Sequence, residues 1–274
     1  MTEILKSVLF GIIQGITEWL PISSTGHMIL LNEFVTLNVS PEFWEMFKVV
    51  IQFGSILAVV LLFWNKIFPF DFKAGKIVKT YIMQMWFKVV AGCIPAGLLV
   101  AFGLDDVCDA LFQNYLTVAI MLILFGVLFI MIENRNKGRE PKVTDISQIT
   151  YRAAFIIGIF QLIAAVFPGT SRSGATIVGA LLLGISRTVA AEFTFFLAIP
   201  TMFGASLLKL VKFGFAFSAE ELVILAVGMV VAFAVSIVVI RFLMDYVKRH
   251  DFKIFGWYRI ILGVIVIVYF MSFA

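Results

Sequence analysis

Six stretches of the chain, roughly 43–65, 86–104, 114–132, 189–210, 222–240 and 255–273, are apolar over the length that crosses a bilayer as a helix. Two further apolar stretches, 4–20 and 152–167, stop at Pro21 and Pro168. Each is followed by Ser, Thr and Gly and then by another short apolar run. Proline ends a helix and a small-residue turn redirects it. The pattern therefore predicts two re-entrant hairpins, over 4–39 and 152–187, each entering and leaving on one face. Irregular backbone at that depth is tolerated only where it is buried in protein or lines a polar cavity. Helical spans without sustained period-2 alternation exclude a transmembrane barrel.

Loop charges orient these elements. Loop 66–85 carries Lys66, Lys73, Lys76 and Lys79 against Asp71. Loop 133–152 carries Arg135, Lys137, Arg139, Lys142 and Arg152, and loop 241–253 carries Arg241, Lys248, Arg249 and Lys253. Basic loops stay on the cytoplasmic side. The stretch 105–109, with Asp105, Asp106 and Asp109, reads as an outer loop. Six spans satisfy these constraints when the first hairpin dips from outside and the second from the cytoplasm, which leaves both termini outside. Lys209 and Lys212 then fall on the outer side, against the rule.

A repeat supports the same arrangement. GIIQGITEWLP from Gly11 matches GIFQLIAAVFP from Gly158. Gly11/Gly158, Gln14/Gln161, Pro21/Pro168 and Glu45/Glu192 share one offset of 147 residues. With one residue inserted, SSTG at 23–26 pairs with SRSG at 171–174. Each half is one hairpin plus three spans, and an odd number of spans inverts the second half. The expected fold is an all-α polytopic membrane protein of six transmembrane helices plus two re-entrant hairpins in an inverted-topology repeat. It forms a single membrane domain over 1–274, with repeat one about 1–135 and repeat two about 150–274. Such repeats place a site near the midplane, where broken helices meet.

Composition agrees. The 274 residues are 62% hydrophobic and 14% charged, with 30 phenylalanines, whereas soluble domains are about half apolar and a quarter charged. The net charge of +4 sits in the loops, so it reports topology rather than nucleic-acid binding. Cys93, in an apolar segment, and Cys108, in the acidic loop, lack CxxC spacing and carry no metal, redox or disulfide assignment. The first 20 residues are read as part of the mature fold and not as a signal peptide, because Gln14 and Glu18 interrupt them and no small-x-small site follows.

Polar residues within this apolar chain mark the candidate site. Gln14 and Glu18 are four apart and share a helix face; Gly11 and Gly15 give GxxxG packing on the same helix. An intramembrane carboxylate costs about 2.5–3.5 kcal/mol on insertion scales and is a functional candidate by default. One hydroxyl among Ser23, Ser24 and Thr25 suffices to cap the returning helix, which leaves two for other work. His27 lies within a turn or two of Glu18 and the serines, an acid or base beside a hydroxyl nucleophile. In the second hairpin, PGTSRSGAT at 168–176, Gly169 and Gly174 allow close backbone approach. Ser171, Ser173 and Thr176 supply hydroxyls, and successive N–H groups form an anion nest. The guanidinium of Arg172 suits phosphate oxygens; interfacial snorkelling is the structural alternative. Ala165 stands where the repeat would place a second Glu18, so the halves have diverged.

GITEWLPISSTGH and PGTSRSGAT resemble the two signature motifs of the undecaprenyl-pyrophosphate phosphatase family of BacA or UppP type, and FKVVIQFGSILAVVLLFW at 47–64 adds to the likeness. The resemblance runs over essentially the whole chain. It implies a bacterial inner-membrane hydrolase that converts undecaprenyl pyrophosphate to undecaprenyl phosphate and orthophosphate. That reaction recycles the lipid carrier for cell-wall synthesis and affects bacitracin resistance. It also implies an inverted-repeat fold with the active site open to the outer face. Carried over by position, it implies roles for Glu18, Ser24, His27, Ser171, Arg172, Ser173 and Thr176. Many members carry Glu where this chain has Gln14, which puts a two-carboxylate metal site in doubt. Glu18 with phosphate oxygens and water remains a site for Mg²⁺ or Ca²⁺.

The resulting expectation is that Arg172 and the 169–174 nest bind phosphate oxygens while Ser24 attacks the terminal phosphorus. His27 or Glu18 takes the proton. Attack by water, or by His27, stays open. A lipid-carrier flippase or secondary transporter using the same anion site is the rival. A zinc enzyme is disfavoured by only two histidines, His250 being in a basic loop. The expected partners are a prenyl pyrophosphate substrate and membrane lipids, with no nucleic acid. GxxxG-like faces leave a homodimer open.

Overall fold

The computed structural model describes residues 2–71, 78–214 and 216–273. Lys73 and Lys76 of the basic loop lie outside them. Helices are α1 (Glu3–Thr17), α2 (Ser24–Phe34), α3 (Pro41–Leu62), α4 (Trp64–Ile67), α5 (Thr80–Ala101), α6 (Asp105–Phe112), α7 (Tyr115–Asn136), α8 (Tyr151–Val166), α9 (Arg172–Leu182), α10 (Arg187–Phe213), α11 (Ala219–Val247) and α12 (Lys253–Phe273). Six of them, α3, α5, α7, α10, α11 and α12, are long and apolar enough to cross a membrane. The chain is therefore an all-helical, multi-pass membrane protein. Its exterior is apolar in the way such a protein requires: Val230, Val238, Leu207 and Ile261 on these helices are exposed.

Helix starts follow from local chemistry. Ser40 accepts the Phe43 N–H and is followed by Pro41, Asn114 accepts the Thr117 N–H, and Ser218 with Glu221 forms a capping box. Two boundaries differ from the apolar pattern. The acidic stretch 105–109 is not an open loop but opens α6, where Asp105 and Asp106 favour the positive helix end; Cys108 lies in that helix. The α5 helix starts at Thr80, six residues before the apolar window, because amphipathic residues continue it toward the loop.

The short helices double back in pairs. Lys6 Nζ donates to the Thr36 carbonyl (2.7 Å), and the Asn38 N–H donates to Glu3 Oε2 (2.7 Å), so the start of α1 meets the end of α2. Likewise the Lys142 N–H donates to Gly184 O (2.8 Å) and the Ser186 N–H to Val143 O (2.9 Å), joining the chain before α8 to the end of α9. Each pair packs into the opposite half of the sequence: α1 lies on α11 and α8 lies on α5. Glycine permits both approaches. A Cβ at Gly11 would sit 2.7 Å from Gly228 O, and one at Gly158 would sit 2.2 Å from Gly92 O. The GxxxG of α1 is thus spent inside the chain rather than on a dimer face. Lys212 pairs with Asp106 (3.2 Å), so one of the two lysines that offend the charge rule is met by the acidic α6.

Candidate active site

Both turns are built by the same local device. Ser23 caps α2 by accepting the Gly26 N–H, and Ser171 caps α9 by accepting the Gly174 N–H. The two serines are the non-glycine residues with positive φ among those described, at 74° and 68°. A left-handed serine is strained and persists when its surroundings over-determine it. Gly169, at φ 89°, lies so close to Val118 that a Cβ would fall 2.5 Å from its carbonyl oxygen. These conformations aim Glu18 and Arg172 at each other across the turns.

Arg172 Nη2 donates to Glu18 Oε1 at 2.7 Å. Glu18 is buried, and its other oxygen accepts from Gln14 Nε2 (2.9 Å) and from the Ser24 hydroxyl (3.1 Å). Arg172 is held by the Thr194 carbonyl (3.2 Å) and Met202 Sδ (3.0 Å), with its guanidinium over the Trp19 ring. Ser173 Oγ donates to the Glu18 main-chain carbonyl (3.1 Å) and lies 3.2 Å from Ser171 Oγ. Thr176 is fully buried; its hydroxyl meets the Arg172 carbonyl and Thr194 Oγ1 at 2.9 Å each. Thr176 therefore supports Arg172 from behind. The Gly174 N–H, expected in the anion nest, is taken by the Ser171 cap.

His27 is placed differently from the expectation. Its Nδ1 lies 2.7 Å from the Ser23 carbonyl, which can only accept, so Nδ1 carries the proton. In the neutral ring Nε2 then accepts from the Tyr258 hydroxyl, 2.7 Å away. No bond joins His27 to Glu18 or Ser24 among the described residues; the hydroxyl of Ser24 donates to the Glu18 carboxylate instead.

A cavity of about 400 Å³ reaches this cluster. Gln14, Ser24 and Thr25 are on its wall, with Glu45, Lys48, Asp109 and Lys209 from the ends of α3, α6 and α10. Lys209, the second offending lysine, lies on the cavity wall. Desolvation there, with Asp105, Asp106 and Glu45 nearby, pushes the Asp109 carboxyl above the usual carboxylate range against the pull of Lys209.

Arg259 lies outside both motifs. It is completely buried in α12 and donates to five carbonyls: Pro21 (3.2 Å) from the first turn, Gly169 (3.0 Å) and Thr170 (2.8 Å) from the second, and Met121 and Leu122 of α7. The rule that singled out Glu18, a charge inside an apolar span, applies equally to it. Gln161 differs from Gln14, the residue that the sequence match sets beside it. Its counterpart Gln14 bonds Glu18, but Ala165 offers nothing, and both Gln161 amide atoms are buried without a partner among the described residues.

The profile of the family described as Bacitracin resistance protein BacA matches residues 7–265. The chain belongs to this family. An undecaprenyl-diphosphatase of Desulfitobacterium hafniense is 68% identical over 99% of this chain and 98% of its own. Undecaprenyl-diphosphatase 1 of Clostridium acetobutylicum is 65% identical over 98% of each chain, and an undecaprenyl-diphosphatase of Enterococcus faecalis is 59% identical over 97% and 96%. The paired turns of this BacA-family chain thus hold its acid, hydroxyl and guanidinium together. They fit a resident divalent ion poorly. The single carboxylate is engaged by an arginine, an amide and a hydroxyl, and the described residues contain no group of three His, Cys, Asp or Glu side chains that could hold a metal.

Proposed function

We propose that this BacA-family protein hydrolyses undecaprenyl diphosphate to undecaprenyl phosphate and orthophosphate. The activity would renew a lipid carrier used in cell-wall synthesis and would underlie bacitracin resistance. The observation that carries the reading is the 2.7 Å pair across the two turns between Glu18 and Arg172, residues 154 positions apart. A diphosphate entering the cavity meets Ser24 first, and Arg172 exchanges part of its carboxylate contact for phosphate oxygens. Charge-assisted bonds of that kind strengthen as the phosphoryl group loosens, which is where phosphoryl transfer gains most. Ser24 Oγ attacks the terminal phosphorus and its proton passes to Glu18, already at bonding distance. The bond from that phosphorus to the bridging oxygen breaks, and undecaprenyl phosphate leaves. Water then cleaves the phosphoserine to orthophosphate and regenerates Ser24. In the one-step variant, water attacks directly and Ser24 only orients it. Gln14 positions Glu18, while Ser171, Ser173, Thr176, Gly169 and Gly174 shape the second turn. His27 shapes the first from its bond to Ser23.

The same reading makes α1–α2 and α8–α9 re-entrant hairpins of an inverted repeat, within one domain whose halves exchange them. The reciprocal packing of α1 on α11 and α8 on α5 supports this, as do the matched serine caps. With basic loops inside, the cavity opens to the outer face of the bacterial inner membrane.

The test is orthophosphate release from a prenyl diphosphate by purified protein, with and without chelator. Arg172→Ala should lower kcat/KM by at least 10²–10³-fold, the usual loss for one transition-state donor. Near-normal turnover overturns the assignment, and lipid translocation without phosphate release decides for the flippase. Substantial hydrolysis by Ser24→Ala selects direct water attack.

A further inference from the structure

A second cavity, of about 480 Å³, lies at the other end of the molecule, between the ends of α7, α9 and α11 and the start of α10. Six basic side chains line it. Two are neutralised locally: Arg187 by the buried Glu133 (2.6 Å) and Lys248 by Asp245 (2.8 Å). Arg135, Lys137, Arg139 and Lys142 have no carboxylate partner among the described residues, and the remaining acid on the wall is Glu140. Four cations against one carboxylate leave three positive charges uncompensated around a concave space.

Topology alone explains basic residues on this side, but the orientation rule asks only for their number. It does not ask that the loop be fastened into a bowl. Here Asn136 Nδ2 donates to Leu181 O (3.0 Å), the Arg139 N–H to Asn136 O (3.0 Å), the Lys142 N–H to Gly184 O (2.8 Å) and the Ser186 N–H to Val143 O (2.9 Å). Gly138 turns the loop at φ 75°. Such fastening fixes the backbone that carries the cations before any ligand arrives, which reduces part of the ordering cost of binding. The rim is apolar: Leu182 on the wall is 40% exposed, and Met131, one helical turn before Arg135 on the same face, is 59% exposed.

We propose that this cavity binds the phosphate head group of an anionic membrane lipid from the leaflet on the basic-loop side, with its acyl chains lying along Met131 and Leu182. Arginine and lysine at the membrane surface recognise phosphodiesters through charge-assisted bonds, and basic pockets between transmembrane helices are known to take lipid head groups. The site is separate from the Glu18–Arg172 cluster and does not depend on the hydrolase reading.

The experiment is native mass spectrometry of the full chain released from vesicles of phosphatidylglycerol and phosphatidylcholine. The triple variant K137Q/R139Q/K142Q is compared with R152Q/R241Q/R249Q, which removes as many charges from the same end outside the cavity. Wild type and the second variant should retain phosphatidylglycerol selectively. The first should lose that retention by on the order of tenfold or more, with its unfolding in neutral detergent unchanged. Equal losses in both triples, or none, overturn the proposal. Displacement of the bound lipid by inorganic phosphate at the same concentration as by added phosphatidylglycerol would mark a soluble-anion site and overturn it too. Should the first triple fail to fold, the wild-type preference for phosphatidylglycerol must shrink as salt rises; a salt-independent preference refutes the ionic site.

Discussion

One guanidinium holds the two turns in register, and removing it separates their geometry from their chemistry. Arg259 reaches Pro21 of the first turn and Gly169 and Thr170 of the second at 3.2, 3.0 and 2.8 Å, from complete burial. Interhelical hydrogen bonds in membrane proteins are worth about 0.6 kcal/mol on average and up to about 1.7, so these three together with the two to Met121 and Leu122 carry roughly 3–8 kcal/mol. Arg259→Met removes them and orphans the carbonyls, but it also relieves the cost of a buried charge. The expected net destabilisation therefore sits near the lower end, about 3 kcal/mol. The effect on turnover should be larger than stability alone explains. A shift of about 1 Å between reacting groups costs on the order of 10²-fold, and the Glu18–Arg172 spacing is set by the turns that Arg259 joins. Unfolding is measured by denaturant titration in detergent, and phosphate release at a temperature where wild type and variant are both folded. Arg259→Lys keeps the charge but not the fork, so it should fall between the two. A folded Arg259→Met protein with wild-type kcat would refute the coupling of turn register to catalysis, whatever its melting temperature.

Three further outcomes are expected. Gly158→Leu places a side chain where even a Cβ would lie 2.2 Å from Gly92 O, so it should lose at least ~3 kcal/mol, beyond ordinary overpacking; Gly97→Ala, with nothing within 4 Å of the added carbon, should melt like wild type, and equal melting of both would refute the close α5–α8 contact. The hydrogen bond from Lys6, aided by that from the Asn38 N–H, holds the Glu3 carboxyl below the usual glutamate range. A depressed folded pKa means the stabilisation is present above the ordinary glutamate value and is lost as pH falls through the folded one, so the melting difference between wild type and Glu3→Gln should close on acidification; a difference constant with pH would exclude this linkage. Single cysteines at positions 106 and 137, in a background lacking Cys93 and Cys108, should label from opposite sides of the membrane, and labelling from one side would break the topology.

Much of this architecture is readable in the chain because bilayer physics leaves few choices. An apolar run long enough to span must be helical, basic loops stay inside, and a proline before Ser-Thr-Gly must turn. Glu18 and Arg172 stand out for the same reason, being charges where charge is expensive. The acidic stretch at 105–109 was legible as a charge signal but not as α6, because capping by the helix dipole is local and the apolar pattern there is short. Lys209 and Lys212 read as violations of the charge rule, and the structure sets Asp106 beside Lys212 and places Lys209 on the cavity wall.

Hydropathy and the placing of proline and small polar residues thus decided the number of long helices, the two turns and the polar residues they carry. Tertiary structure alone decided who meets whom. His27 turns to Tyr258 instead of Glu18, the α1 glycines pack on α11 instead of a second chain, and Arg259 ties both turns from a distant helix. Sequence spacing encodes neighbours only within a helix turn or a tight loop. Contacts between residues more than a hundred positions apart depend on how packed helices cross, and that is set by close approach at a few glycines and by buried donors seeking carbonyls in a medium that offers no water.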